Sequence, residues 1–177
     1  FTLLKFADVA FYNMSRPMYI WNEIWNYIGD FLYQEGCSSE KTINTTAVDI
    51  IRQLSSNFLP LKEMTQFHFQ QHFLEPFDKI FERQQRPYIK ELILSCIEIL
   101  CSRYATVLHS GWNVFLRILK FSSMDSDELK KQAFEILEMI IMQLLDSAKD
   151  VLPHLMIVLA SFVKNDHSDT IASQATA

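Results

Sequence analysis

The chain has 177 residues, 49% of them hydrophobic and 21% charged, and a formal net charge of −5. That is enough apolar material for a sizeable core and too much for a disordered chain, while the charge balance excludes generic nucleic-acid binding, which needs a large positive excess. Three cysteines, none in a Cys-x-x-Cys pair, fit a reducing compartment without a disulfide framework.

With three glycines and five prolines the chain has little punctuation, and its apolar residues recur at helical spacing nearly throughout, so the expected class is all-α. One stripe of apolar or small residues at i, i+4, i+7, i+8 and i+11 returns along the chain. It fits Leu3/Ala7/Ala10/Phe11/Met14, Ile43/Ala47/Ile50/Ile51/Leu54, Ile89/Ile93/Cys96/Ile97/Leu100 and Leu129/Ala133/Ile136/Leu137/Ile140, and begins again at Ile171/Ala175. The starts lie 40, 46, 40 and 42 residues apart, close to the period of HEAT and armadillo repeats. Between them stand second helices with shorter stripes: Trp21/Ile24/Trp25/Ile28, the looser Phe73/Phe77/Ile80, Trp112/Phe115/Leu116/Leu119 and Leu152/Leu155/Met156/Leu159. The expectation is one HEAT/armadillo-like solenoid over residues 1–177, with about four helix pairs and the start of a fifth, cut from a longer protein. Arg16-Pro17 and Arg86-Pro87 read as helix starts, Asp125 with Glu128 as a capping box, and residues 60–71 as an insertion in the second repeat.

Chemistry is hard to find along this chain. His68 and His72 have the i, i+4 spacing of a zinc pair, but no third ligand is evident and ordinary packing or surface roles explain them. Ser110-Gly111-Trp112 lacks the Gly-x-Ser-x-Gly frame of a nucleophile elbow and reads as a helix start. No glycine-rich phosphate loop and no cluster of acid, base and nucleophile stands out, so no cofactor, metal or catalytic residue is expected. Charge is uneven, with residues 76–120 carrying 7 basic and 4 acidic side chains against an acidic excess on either side. Lys79, Arg83, Arg86, Lys90, Arg117 and Lys120 are therefore candidates to face an anionic membrane, each basic residue near such a surface contributing about 1 kcal/mol.

Several runs in register resemble the helical domain that follows the catalytic domain in the large, BIG-class guanine-nucleotide exchange factors for Arf GTPases. They are Tyr12-Asn13-Met14-Ser15-Arg16 with Trp21 and Ile24-Trp25; Ala47-Val48-Asp49 with Arg52-Gln53-Leu54-Ser55 and Phe58-Leu59; Phe69-Gln70, Phe73-Leu74, Pro76-Phe77 and Ile80; Glu91-Leu92-Ile93 with Cys96-Ile97; and Ser110-Gly111-Trp112. Together they run over nearly the whole chain. Two places depart from the pattern: Pro17-Met18-Tyr19 and Asn113 stand where the family often carries a basic residue.

The resemblance implies a domain that does no chemistry itself, since the Phe-Arg-x-Pro-Gly-Glu loop holding the exchange glutamate is absent from this chain. It implies control of the exchange domain by binding an activated Arf-family GTPase or other domains of the same factor. The implied setting is cytoplasmic, peripheral at trans-Golgi or endosomal membranes. Tyr12, Asn13, Arg16, Asp49, Arg52 and Gln53, polar and off the apolar stripes, are the candidate partner-binding residues, with a ladder bracing adjacent repeats as the alternative for Asp49 and Arg52. A membrane-surface module and a generic HEAT-repeat scaffold are the competing readings.

Overall fold

Continuous amphipathic segments, each too apolar on one side to stand in water, can bury that side only against one another. The computed structural model describes residues 2–61, 68–144 and 151–165. The described residues form eight α-helices: α1 (Thr2–Asn13), α2 (Met18–Gly36), α3 (Lys41–Phe58), α4 (Phe69–Arg83), α5 (Pro87–Tyr104), α6 (Trp112–Ser122), α7 (Asp127–Leu144) and α8 (Leu152–Asn165). In the first, second and fourth pairs the first helix packs on the second; across pairs, α1, α3, α5 and α7 stack in one layer and α2, α4, α6 and α8 in the other. The chain is thus an all-α helical-repeat stack of four described pairs. The start of a fifth pair at Ile171/Ala175 lies outside the described residues.

The central stripes are buried as the sequence spacing implies. All five stripe positions of α5 and all five of α7 are in the core, as are Trp112, Phe115, Leu116 and Leu119 of α6. At the two ends the stripes drift. Phe11 is 61% exposed, and on α8 the core is made by Leu155, Val158 and Phe162 while Met156 is 63% exposed. A terminal helix has a neighbour on one side only, so part of its apolar surface finds no cover within the described chain.

The helix ends show local causes. Pro87 opens α5 at a first-turn position, where no amide is needed. Asp125 does not cap α7: Ser126 takes that role, its Oγ accepting from the Leu129 amide at 3.5 Å, while Asp125 bonds Lys90 on α5. Of the expected insertion, residues 62–67 lie outside the described residues, and Phe69–Gln71 form the first turn of α4. Pro76 sits inside α4 and deprives the His72 carbonyl of its usual partner four residues on. The indole N–H of Trp25, on α2, reaches that carbonyl at 3.4 Å instead. This exchange explains why a proline is tolerated mid-helix: the acceptor is satisfied from the neighbouring repeat.

Aromatic rings close the joint between the first two pairs. Phe73 stacks on Trp25 and on Phe58, both at 4.1 Å between ring centroids, with Trp21 tilted against it at 6.2 Å. At the other end of α2, Gly36 lets the second repeat come close, because a Cβ there would lie 2.3 Å from Ile80 Cδ1. Ile80 is fully buried, so its side chain would have to shift within the core. Gly36→Ala is therefore expected to destabilise the chain by about 1–3 kcal/mol through overpacking, read as a lower urea midpoint at unchanged slope; an unshifted midpoint would mean that Ile80 repacks without strain.

Candidate functional site

Polar groups in this stack divide between joining repeats and meeting solvent. In the first layer, Tyr104 on α5 donates to the Ser56 carbonyl of α3 at 2.9 Å, and Gln132 on α7 donates to Ser95 Oγ of α5 at 3.1 Å. In the second, His72 Nε2 on α4 bonds Asn26 Oδ1 of α2 at 2.8 Å, Arg117 on α6 pairs with Asp78 of α4 at 2.6 Å, and Ser123 meets Ser161 of α8 at 3.1 Å. Each gap between stacked neighbours among these helices thus holds a polar rung. The clearest junction is Gln70, buried in the first turn of α4. Its Nε2 donates to the Val107 carbonyl at 2.9 Å, and its Oε1 accepts from the amides of His109 at 2.8 Å and Gly111 at 3.4 Å. Beside it the Gln71 amide donates to Ser110 Oγ at 3.0 Å. Gly111 favours this approach, since a Cβ there would lie 3.1 Å from Leu74 Cδ1 and 3.3 Å from Gln70 Oε1 of α4, and 2.8 Å from Leu108 Cδ2 in its own turn.

The basic residues of the middle are mostly engaged in the same work. Lys79 pairs with Glu75 at 3.3 Å, Arg86 donates to the Ser38 carbonyl at 2.8 Å, Lys90 bonds Asp125, and Arg117 holds Asp78. Burial pushes the Asp78 carboxyl above its ordinary pKa; Arg117 pulls it down, and Glu82 and Glu75 add to the rise. Burial also acts to raise Asp125, but hydrogen bonds from Lys90 and the Ser126 amide outweigh it and hold its pKa low. Arg83 and Lys120 are exposed in the last turns of α4 and α6, where positive charge suits the helix dipole.

His68 is exposed, in a left-handed conformation (φ 40°) just ahead of α4, while His72 is committed to Asn26 and lies 3.6 Å from Glu75. No group of three or more His, Cys, Asp or Glu side chains among the described residues could hold a metal ion. Cys96 and Cys101 are buried in α5. Burial drives the Cys96 thiol up to about 12, with Arg52 acting to lower and Asp49 to raise it further, and burial alone raises Cys101. Neither is a poised nucleophile. Among the described residues no helix is long and apolar enough to cross a membrane.

The six partner-binding candidates fall into two groups. On α3, Asp49 is gripped from its own helix: Arg52 donates to its Oδ1 from Nε at 2.9 Å and Nη2 at 2.7 Å, and Gln53 to its Oδ2 at 2.6 Å. Asp49 and Arg52 also act electrostatically on Cys96, which places them toward α5. The side-chain bonds of Asp49 to Arg52 and Gln53 lie within α3. The second group lies at the C-terminal end of α1, Tyr12 and Asn13 in its last turn and Arg16 three residues beyond it. Asn13 donates to the Val9 carbonyl at 2.8 Å and accepts from Arg16 Nε, and Tyr12 is 81% exposed. Here Phe11, Tyr12, Met14, Ser15 and Arg16 border a shallow cleft of about 740 Å³ whose far wall is Asn57 and Leu61, at the end of α3. Asn57 donates to the Gln53 carbonyl one turn back, so the polar edge of α3 leads from Gln53 to the cleft. The structure therefore brings Tyr12 and Arg16 together with the end of α3, and leaves Asp49 and Arg52 one to two turns away. Nothing in the sequence marks Asn57, and Leu61 is marked only as part of the insertion at residues 60–71; the stacking of α1 on α3 gives them a common cleft with Arg16.

Residues 57–139 match the family model described as Mon2/Sec7/BIG1-like, HDS. The human brefeldin A-inhibited guanine nucleotide-exchange protein 1 is 35% identical over 128 residues, 72% of this chain and 7% of the relative. The Arabidopsis thaliana brefeldin A-inhibited guanine nucleotide-exchange protein 4 is 37% identical over 146 residues, 80% of this chain and 8% of that protein. The ADP-ribosylation factor guanine nucleotide-exchange factor sec71 of Schizosaccharomyces pombe is 36% identical over 124 residues, 70% of this chain and 7% of its own length. The chain spans less than a tenth of each of these relatives. With its helical-repeat fold and this likeness, the chain belongs to the HDS family of Mon2/Sec7/BIG1-like proteins, as an HDS domain of the BIG-class Arf exchange factors.

Proposed function

We propose that this chain is a non-catalytic regulatory domain of a large Arf exchange factor, which binds activated Arf, neighbouring domains of the same factor, or both, at trans-Golgi or endosomal membranes. The observation that carries the reading is the cleft between the ends of α1 and α3, where Tyr12, Arg16, Asn57 and Leu61 meet outside the core. Most other polar groups described above are bound into the stack, whereas this surface offers aromatic, aliphatic and cationic groups to a partner. Activated Arf differs from the inactive form in switch loops ordered by the terminal phosphate, and a domain can sense that state only through differential affinity. Binding here would hold the parent factor where activated Arf has accumulated, or withdraw the domain from a contact that restrains exchange.

The test is retention of GTP-loaded against GDP-loaded Arf by the immobilised chain. Preferential capture of the GTP form is expected, weakened by Arg16→Glu at unchanged helical content and melting temperature, because Arg16 is exposed and its side chain bonds the nearby Asn13. The chain alone should leave nucleotide release from Arf unchanged. Equal capture of both forms, or accelerated release, would overturn the proposal.

A further inference from the structure

Resting on the reading of this cleft as the partner surface, its chemistry specifies the partner more narrowly. Arg16 is held from two directions: its main-chain amide donates to the Asn13 carbonyl at 3.0 Å, and its Nε donates to Asn13 Oδ1. Asn13 is itself tied to the Val9 carbonyl. The guanidinium is thereby oriented through one edge, with both terminal nitrogens unspent, and among the described residues it makes no ion pair. A guanidinium fixed in this way loses little freedom on binding and presents a planar fork suited to a carboxylate.

The walls around it are apolar and open: Phe11 is 61% exposed and Leu61 42%, with Met14 nearly buried between them and Tyr12 alongside. Arg16 is the single charged residue among the seven that line the cleft. A phosphoryl or lipid headgroup carries more charge than one guanidinium neutralises and gains nothing from aromatic walls. A peptide carboxylate next to a large apolar side chain matches both, one charge to one charge and one anchor to the wall. We infer that the cleft captures an acidic-hydrophobic peptide segment of its partner, Arg16 taking an Asp or Glu carboxylate while Phe11, Tyr12 and Leu61 enclose the adjacent aromatic or aliphatic side chain.

The experiment is amide-detected NMR titration of the full 177-residue chain with the peptide acetyl-Leu-Phe-Glu-Gly-amide, its Gln counterpart and inorganic phosphate. Shifts are expected along residues 11–16 and at Asn57 and Leu61, with the Glu peptide binding more tightly than the Gln peptide by on the order of tenfold. In Arg16→Gln that preference should vanish, and Tyr12→Ala should weaken both peptides alike. Equal binding of the two peptides to the wild-type chain, shifts elsewhere, or shifts produced by phosphate and not by peptide would each overturn the inference. Capture of GTP-loaded Arf separates the two readings: if it survives Arg16→Gln, Arf binding stands and the acidic anchor falls. If peptide preference is intact but Arf is not retained, the cleft serves a different acidic segment and the Arf reading falls.

Discussion

Phe73→Ala should lower stability by about 3–5 kcal/mol, the range for emptying a fully buried aromatic site. Phe73 is 1% exposed and stacks on rings from two other helices, Trp25 of α2 and Phe58 of α3. Its removal opens a cavity that neither helix can fill by local movement, because α2 is also held by the bond from Trp25 to the His72 carbonyl. In a repeat stack each interface is shared, so the loss should spread: amide exchange should accelerate across α2, α3 and α4 before it does so in α7. A drop below about 1 kcal/mol, or faster exchange confined to the turn around residue 73, would show that the aromatic joint is not the seam between the first two repeats.

Gln70→Leu is the second large effect, and it works by a different route. Leucine keeps most of the volume and removes the amide, leaving the Val107 carbonyl and the His109 and Gly111 amides without their partner. Each unsatisfied buried group costs about 1–3 kcal/mol; with Val107 and His109 both exposed and open to water, the total should come to about 1–3 kcal/mol, most of it from the buried Gly111 amide. The expected signature is a lower denaturation midpoint together with loss of exchange protection at the Gly111 amide. Unchanged protection there would mean that the turn between α5 and α6 holds its shape without Gln70.

These two residues also show what a single sequence reveals about such a protein. Phe73 is legible because burial of a helix face repeats every three or four residues, and the stripes of α5 and α7 are legible for the same reason. Gln70 is not, because its partners are backbone atoms 37 to 41 residues away and nothing in a polar side chain's identity announces them. The same limit applies to charge. Along the chain, Lys90 and Arg117 look like part of a basic patch, yet each is met by a carboxylate, Asp125 and Asp78, that stacking brings from 35 and 39 residues away. Periodicity likewise places Phe11 and Met156 inside, and it fails there because it assumes a neighbour on both sides of every helix. The cleft is half legible: Tyr12, Asn13 and Arg16 stand out as polar or aromatic groups beside the last residues of an apolar stripe, while Asn57 and Leu61 join them only through the packing of α1 against α3.

The placement of the three indoles gives the stack a built-in optical readout. Trp21 and Trp25 lie on α2 among phenylalanine rings, and Trp112 opens α6 in the third pair, all three nearly inaccessible to water. Emission from the first two reports on the seam between the first and second pairs, and emission from the third on the other half of the chain. Phenylalanine in place of Trp112, or of the α2 pair, would let each half be followed separately by fluorescence, so that a solenoid unzipping from one end becomes distinguishable in the cuvette from one that melts all at once.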